Sequence, residues 1–341
     1  MTTVWIAPAE DAIEGPLASD GSRIFIATRE QGIRALDPSG EVVWKVDAPS
    51  GQIAAGPGLL VLRTPDGQVV SLDPETGSTR WTVATGITGS GPALLDGDHI
   101  VIAGEGIAAL DAASGHAFWS LPGPPTVTTP PAASGWSILA GEADGTLRCR
   151  DRATGASLWT YKTARELAAP PVVDSDRRVL FGTTDRRFLA LDVMKGGQRW
   201  RWKVGTDVQD RAAIFRDHLL FASYEDVLYS IDRGNGNMAW RAALPSRPIS
   251  GPVLVGESVL VVCHENDVVG FRAKTGTKLG GLKTPAEIRT PPLVVDDRLY
   301  LGLRDRTVIA YRLDMTSALP AAPKASPSPG RGQQQQPQRR R

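Results

Sequence analysis

Cysteine is nearly absent from this 341-residue chain: Cys149 and Cys263 stand far apart and form no Cys-x-x-Cys pair. That excludes a cysteine-held metal cluster, and the length is ample for a core that needs no disulfides. A charge surplus is missing too. Lys+Arg number 38 against 37 Asp+Glu, a net charge of +1, so no bulk field draws the chain to nucleic acid or to an anionic membrane. No run approaches the roughly 18 to 20 apolar residues of a membrane-spanning helix. Met1-Thr2-Thr3-Val4-Trp5 lacks the basic and apolar regions of a secretory signal, which places the chain in the cytoplasm if Met1 is the true start. The histidines, His99, His116, His218 and His264, fall in separate segments without a ligand pair at short spacing, against a zinc site. No Gly-x-Ser-x-Gly elbow, Walker-type loop or dinucleotide fingerprint occurs. No catalytic, cofactor or metal residue is therefore assigned, and the chain reads as a non-enzyme.

What the chain does have is a repeat. Tryptophan falls at positions 5, 44, 81, 119, 159, 200 and 240, with gaps of 39, 37, 38, 40, 41 and 40, and Gly280 holds the next slot. Glycine stands four residues before most of these, and an aspartate opens each turn: Asp37 with Gly40, Asp73 with Gly77, Asp111 with Gly115, Asp151 with Gly155, Asp192 with Gly196, Asp232 with Gly236. Gly276 precedes the slot where tryptophan is lost. A second marker opens the units: Gly15-Pro16, Gly56-Pro57, Gly91-Pro92, Pro130-Pro131, Pro170-Pro171, Gly251-Pro252 and Pro291-Pro292, with only the unit around Ala212-Ala213 lacking it.

One unit reads as four short strands. Proline can only begin a strand or lie at its edge, and Val172-Val173 and Val179-Leu180-Phe181 follow it as two β-rich runs. Phe188-Leu189-Ala190-Leu191 leads into the Asp-x-x-x-Gly hairpin, where glycine supplies a positive φ and aspartate can accept backbone amides. The tryptophan strand is the fourth. Four antiparallel strands in about 40 residues, with no helical period, predict one propeller blade. Seven marked first strands with the unmarked one around Ala212-Ala213, and the fourth strands, both count to eight but differ in register by one strand. An eight-bladed all-β propeller over 1–315 follows, with Val4-Trp5-Ile6 completing the last blade so that no sheet edge is left open between the chain ends.

From about Thr316 the composition changes. Residues 316–341 hold Pro320, Pro323, Pro327, Pro329 and Pro337, a Gln333–Gln336 run, and Lys324, Arg331 and Arg339–Arg341 without an acid. This is a disordered composition, carrying +5 and leaving −4 on the rest, a short cationic tail suited to an acidic partner or an anionic surface.

The unit Leu-Asp-x-x-Thr-Gly-x-x-x-Trp, as in Leu72 to Trp81, resembles the repeats of the pyrroloquinoline-quinone-like β-propeller superfamily over residues 4 to about 313. The single eight-bladed domain and the entry on a Val-Trp strand look most like the BamB group of outer-membrane assembly lipoproteins. That resemblance implies a cofactor-free monomeric scaffold in the bacterial envelope whose partner is a protein such as a β-barrel assembly component. It also implies that Trp5, Trp44, Trp81, Trp119, Trp159, Trp200 and Trp240 dock blades together. Quinone-dependent dehydrogenases share the superfamily but carry adjacent cysteines, a calcium site and long insertions that this chain lacks. A small quinone dehydrogenase and a ligand-sensing propeller are the alternatives.

One basic concentration breaks the repeat: Arg177, Arg178, Arg186, Arg187, Arg199, Arg201 and Lys203. Arg199, Arg201 and Lys203 alternate with Trp200 and Trp202, placing cations on one side of a strand and aromatics on the other. The two arginine pairs are read as turn residues. The set reads as solvated edge protection or as a patch for an acidic partner.

Overall fold

The computed structural model describes residues 1–89, 91–167, 169–205, 208 and 210–313. The tail expected at 316–341 lies outside the described residues. The 32 strands form eight antiparallel four-stranded sheets, numbered here as blades 1 to 8. Blade 5 is representative, with Val172–Val173, Arg178–Thr183, Arg187–Asp192 and Gln198–Lys203 in spatial order. Blade 8 takes Leu293–Val295, Arg298–Gly302 and Thr307–Arg312 from the end of the chain and Thr2–Pro8 from its beginning. Trp5 pairs with Ala310 and Ile6 with Ile309. The expected closure by the N-terminal strand is thus present, and it joins the two ends of the chain through a backbone ladder.

The first strands of neighbouring blades pack against each other around the axis, and the fourth strands form the rim. The cores lie between sheets. Blades 5 and 6 enclose Leu180, Phe188, Phe221 and Tyr229, and blades 7 and 8 enclose Leu260, Val262, Leu299, Leu301 and Tyr311. Hairpins after the first and third strands share one face, shown by Val193 N–H bonding Arg177 O and Arg233 N–H bonding Asp217 O. Hairpins after the second strand share the opposite face with the loops that lead to the next blade, as in Thr85 N–H to Gly67 O.

The tryptophan and glycine signals meet across the seams rather than within one unit. Trp44 packs on Gly77 of the next blade, Trp81 on Gly115, Trp119 on Gly155, Trp159 on Gly196 and Trp200 on Gly236, while Trp5 packs on Gly40. Each of these turn glycines has φ between +69° and +90°, and a Cβ there would lie 2.6–2.9 Å from the indole. Glycine is required twice, for the left-handed backbone and for the ring. Each indole N–H then donates to the carbonyl one residue after the turn aspartate: Trp44 to Pro74 at 3.1 Å, Trp119 to Arg152 at 2.8 Å, Trp159 to Val193 at 2.8 Å.

The aspartates hold those carbonyls in place. Asp73 Oδ1 accepts from the Glu75 and Thr76 amides, Asp192 from Met194 and Lys195, and Asp232 from Gly234 and Asn235. In blade 7 the aspartate position is Arg272; Trp240 still packs on Gly276, but its indole nitrogen has no partner among the described residues. At the seam between blades 7 and 8 tryptophan gives way to Gly280, and the apolar cluster with Leu282, Tyr311 and Leu313 fills the interior there.

Gly115→Ala brings a methyl to 2.6 Å from Trp81, whereas Gly58→Ala, also at positive φ, meets nothing within 4 Å. Both carry left-handed strain of ~1 kcal/mol, and Gly115→Ala carries overpacking of a further ~1–3 kcal/mol; urea unfolding of the pair measures the difference. The Arg80 guanidinium bonded to Asp73 holds that carboxyl down to about 2. A depressed folded pKa stabilises above the unfolded value of ~3.9, and that contribution is lost as pH falls toward 2. Arg80→Met raises the Asp73 titration midpoint, read by carboxyl NMR, and moves acid unfolding to higher pH.

Candidate interaction site

The basic cluster does not converge. Arg177 and Arg178 lie on the aspartate-turn face, Arg186 and Arg187 on the opposite face, and Arg199, Arg201 and Lys203 on the rim strand of blade 5. Arg178 and Arg187 open strands rather than lying in turns, and it is Arg177 and Arg186 that occupy the turns, both at positive φ. Arg178 is committed to a blade-to-blade lock. It pairs with the fully buried Asp174 at 2.8 Å and with Asp176 at 2.6 Å, and Arg233 of blade 6 reaches the same Asp174 at 3.0 Å. Arg187 pairs with Asp185 and Arg199 with Asp192. Arg177, Arg186, Arg201 and Lys203 are exposed and make no ion pair among the described residues. Along the rim strand, Arg199, Arg201 and Lys203 face solvent while Trp200 is buried and Trp202 packs edge-on against Phe221 and Tyr229.

Cys149 and Cys263 are free and buried in blades 4 and 7. Burial pushes the Cys263 thiol up to about 12, so it stays protonated and unreactive. His99 and His218 open the second strands of blades 3 and 6. His99 stacks on Phe118 at 4.3 Å and bonds Asp98 at 2.6 Å, and His218 bonds Ser230. No group of three or more His, Cys, Asp or Glu among the described residues is placed to hold a metal ion. No helix of the described residues is long and apolar enough to cross a membrane.

Two clefts are concave features that the repeat alone does not display. A cleft of about 390 Å³ opens between blades 3 and 4, lined by Thr88, Gly89, Glu105, Thr126, Thr128 and Pro130 among others. A second, of about 340 Å³, runs along blades 6 to 8 and is lined by Asp210, Arg211, Ala213, Ile214, Leu254 and Pro291 among others. Both lie in the size range of ligand pockets.

Behind the first cleft stands Arg63, 2% exposed. It ends the second strand of blade 2, where the corresponding residues are Ala27, Ala103, Gly141, Gly182, Ala222, Val262 and Gly302. The position is small because the next loop crosses it; a Cβ on Gly302 would lie 2.6 Å from Thr290. Arg63 instead threads between blades and donates to the carbonyls of Gly91 at 2.8 Å, Ala103 at 2.6 Å and Ile87 at 3.3 Å. Burial pushes its guanidinium pKa down. Aligning the repeats exposes this residue as the single large cation in a column of small ones, a signal that tryptophan spacing does not carry.

A family model described as "Outer membrane protein assembly factor BamB" matches residues 2–122, 29–206, 143–287 and 225–319, so that its copies together run through all eight blades. The chain belongs to the BamB family. BamB of Burkholderia pseudomallei is 28% identical over 303 residues, covering 80% of this chain and 77% of that protein. BamB of Bordetella pertussis is 29% identical over 321 residues, covering 86% and 81%. Among solved structures, BamB from Moraxella catarrhalis aligns with a TM-score of 0.75 at 21% identity over 92% of this chain and 99% of that one. The quinohemoprotein alcohol dehydrogenase of Comamonas testosteroni aligns at 0.71 and 14% identity, covering 94% and 78%. These two likenesses speak for the fold alone, whereas the family match runs through the repeats themselves.

Replacing Arg63 by Met leaves the carbonyls of Gly91 and Ala103 without their buried donors. The expected loss is about 2–4 kcal/mol, read by urea unfolding, with the same substitution at exposed Arg201 changing stability by less than ~0.5 kcal/mol.

Proposed function

We propose that this chain is a non-catalytic, cofactor-free β-propeller scaffold that holds protein partners during outer membrane protein assembly in the bacterial cell envelope, with a β-barrel assembly component as partner. The observation that carries this reading is the BamB family match extending through every blade. It is supported by the use of the repeat's conspicuous side chains: the tryptophans are wedged into seams and the cysteines are buried. On this reading the chain works as a single monomeric propeller over 1–315, with 316–341 as a cationic flag that contacts an acidic partner or anionic surface. The exposed cations Arg177, Arg186, Arg201 and Lys203 add smaller contacts for an acidic partner, on both faces and on the rim.

Affinity purification of the tagged full-length chain from the membrane fraction, followed by mass spectrometry, tests the scaffold. Recovery of β-barrel assembly proteins is expected, and their loss from a version ending at Met315 assigns a tethering role to the tail. Arg201→Glu with Lys203→Glu reduces recovery at low salt and has less effect at high salt, since exposed charges are screened beyond ~10 Å at 0.1 M. Reproducible quinone binding with alcohol turnover, and no protein partner, would refute the reading.

A further inference from the structure

Trp136 departs from the repeat. It sits at the tip of the first hairpin of blade 4, where blades 3, 6, 7 and 8 place Asp98, Asp217, Glu257 and Asp297. It belongs to neither apolar core of blade 4 and is 37% exposed. A second ring, Phe118, opens the rim strand of blade 3, is 45% exposed and lies flat on His99 at 4.3 Å. One run of contacts joins the two rings: His99 Nδ1 to Asp98 at 2.6 Å, Asp98 to Arg152 at 2.9 Å, and the Arg152 N–H to the Trp136 carbonyl at 3.0 Å. Both rings therefore stand on the aspartate-turn face, at the seam between blades 3 and 4. Tyr224, also exposed, is on the opposite face with Arg247 already over its ring.

The ground between Phe118 and Trp136 is acidic. Asp96 and Asp98 hold Arg152 between them, each at 2.9 Å. Asp111, its Oδ1 engaged by Ser114, stands close enough to Asp98 for the two charges to repel. These three carboxylates outweigh the one guanidinium they surround. Beneath Phe118 the buried Nε2 of His99 has no partner among the described residues, so the patch is not closed by its own groups. Aromatic faces beside carboxylates suit the side chain of lysine or arginine.

The chain carries such a segment. Residues 316–341 hold Lys324, Arg331 and Arg339–Arg341 without an acid. The described chain reaches Leu313 on this same face, where its N–H bonds the Asp297 carbonyl at 2.7 Å. A segment of that length extends to roughly 90 Å, whereas a domain of this size has a radius of gyration of about 20 Å, so the segment can cross the face.

We propose that residues 316–341 dock on the aspartate-turn face at the seam of blades 3 and 4, with their cations over Trp136 and Phe118 and beside Asp96 and Asp98. Asp296 and Asp297, near Leu313, offer charge without an exposed ring. This goes beyond the scaffold reading: the cationic segment has a site on its own propeller, and an acidic partner takes it from there by competition.

Paramagnetic broadening in the full-length chain tests this. Cys149 and Cys263 are buried, so a nitroxide attaches only at a cysteine introduced by Ser326→Cys or Gln338→Cys. The tryptophan indole N–H signals then report which ring the segment visits. Broadening of Trp136 is expected from at least one of the two labels, with Trp202 on the rim of blade 5 unaffected. Trp136→Ala, read at the Gly135 amide, weakens the broadening about 2- to 5-fold. Replacing Lys324, Arg331 and Arg339–Arg341 by glutamine removes it, and raising salt from about 0.05 to 0.5 M reduces it. Absence of broadening at Trp136, or broadening confined to Trp5 in blade 8, overturns the proposal. So does broadening of Trp136 that persists unchanged in the glutamine variant. Isotope-labelled chain mixed with unlabelled, nitroxide-bearing chain separates the sources: equal broadening in the mixture means the segment of a second copy, and overturns docking within one chain. None of these readouts depends on recovering an assembly protein, so the scaffold reading stands or falls separately.

Discussion

The ring depends on one recurring contact, an indole from the rim strand of one blade pressed onto a left-handed glycine in the turn of the next. Two sheets packed face to face would tolerate sliding, because apolar contact is non-directional. The indole adds direction, through an N–H bond to one named carbonyl, as Trp159 makes to Val193. The turn aspartate supplies the rest by gathering the amides that follow it, so that the carbonyl is presented at a set place. Ion pairs, one exposed and one buried, join two of the seams: Arg152 carries its carbonyl to Trp119 and its guanidinium to the exposed Asp98, and Arg233 does the same for Trp200 and the buried Asp174.

Where that contact lapses, its parts lapse in order. Blade 7 replaces the aspartate with Arg272, and Trp240 keeps its stacking but loses its acceptor. The next rim strand has Gly280 in place of tryptophan, and blades 7 and 8 are held by aliphatic and tyrosine packing instead. Closure there is secured differently, by the ladder of Thr2–Pro8 on Thr307–Arg312. A ring closed by pairing its two chain ends does not need every seam to be equally strong.

Function follows from what this lattice of contacts uses up and what it leaves. Tryptophans, turn aspartates and cysteines are consumed by packing, so the most conspicuous residues of the repeat are not offered to a ligand. What remains are two clefts of unlike lining and, on the faces and rim, exposed cations without an ion pair among the described residues. The repeats that make this lattice are those matched by the BamB family model.

The sequence by itself determined the blade count, the strand order and the closing strand, because each rests on local chemistry: proline at strand starts, glycine at positive φ, and alternation along strands such as Gln198–Lys203. It also marked Trp44 and Gly77 as repeated, though spacing within a unit suggested nothing of their contact across a seam. Only the tertiary structure decided the fate of the basic cluster, since residues nine apart in a hairpin, such as Arg177 and Arg186, emerge on opposite faces of a propeller. It alone placed Arg63 between blades. Both results come from ring closure, which brings together blades that are distant along the chain and gives single departures from the repeat a shared space to act in.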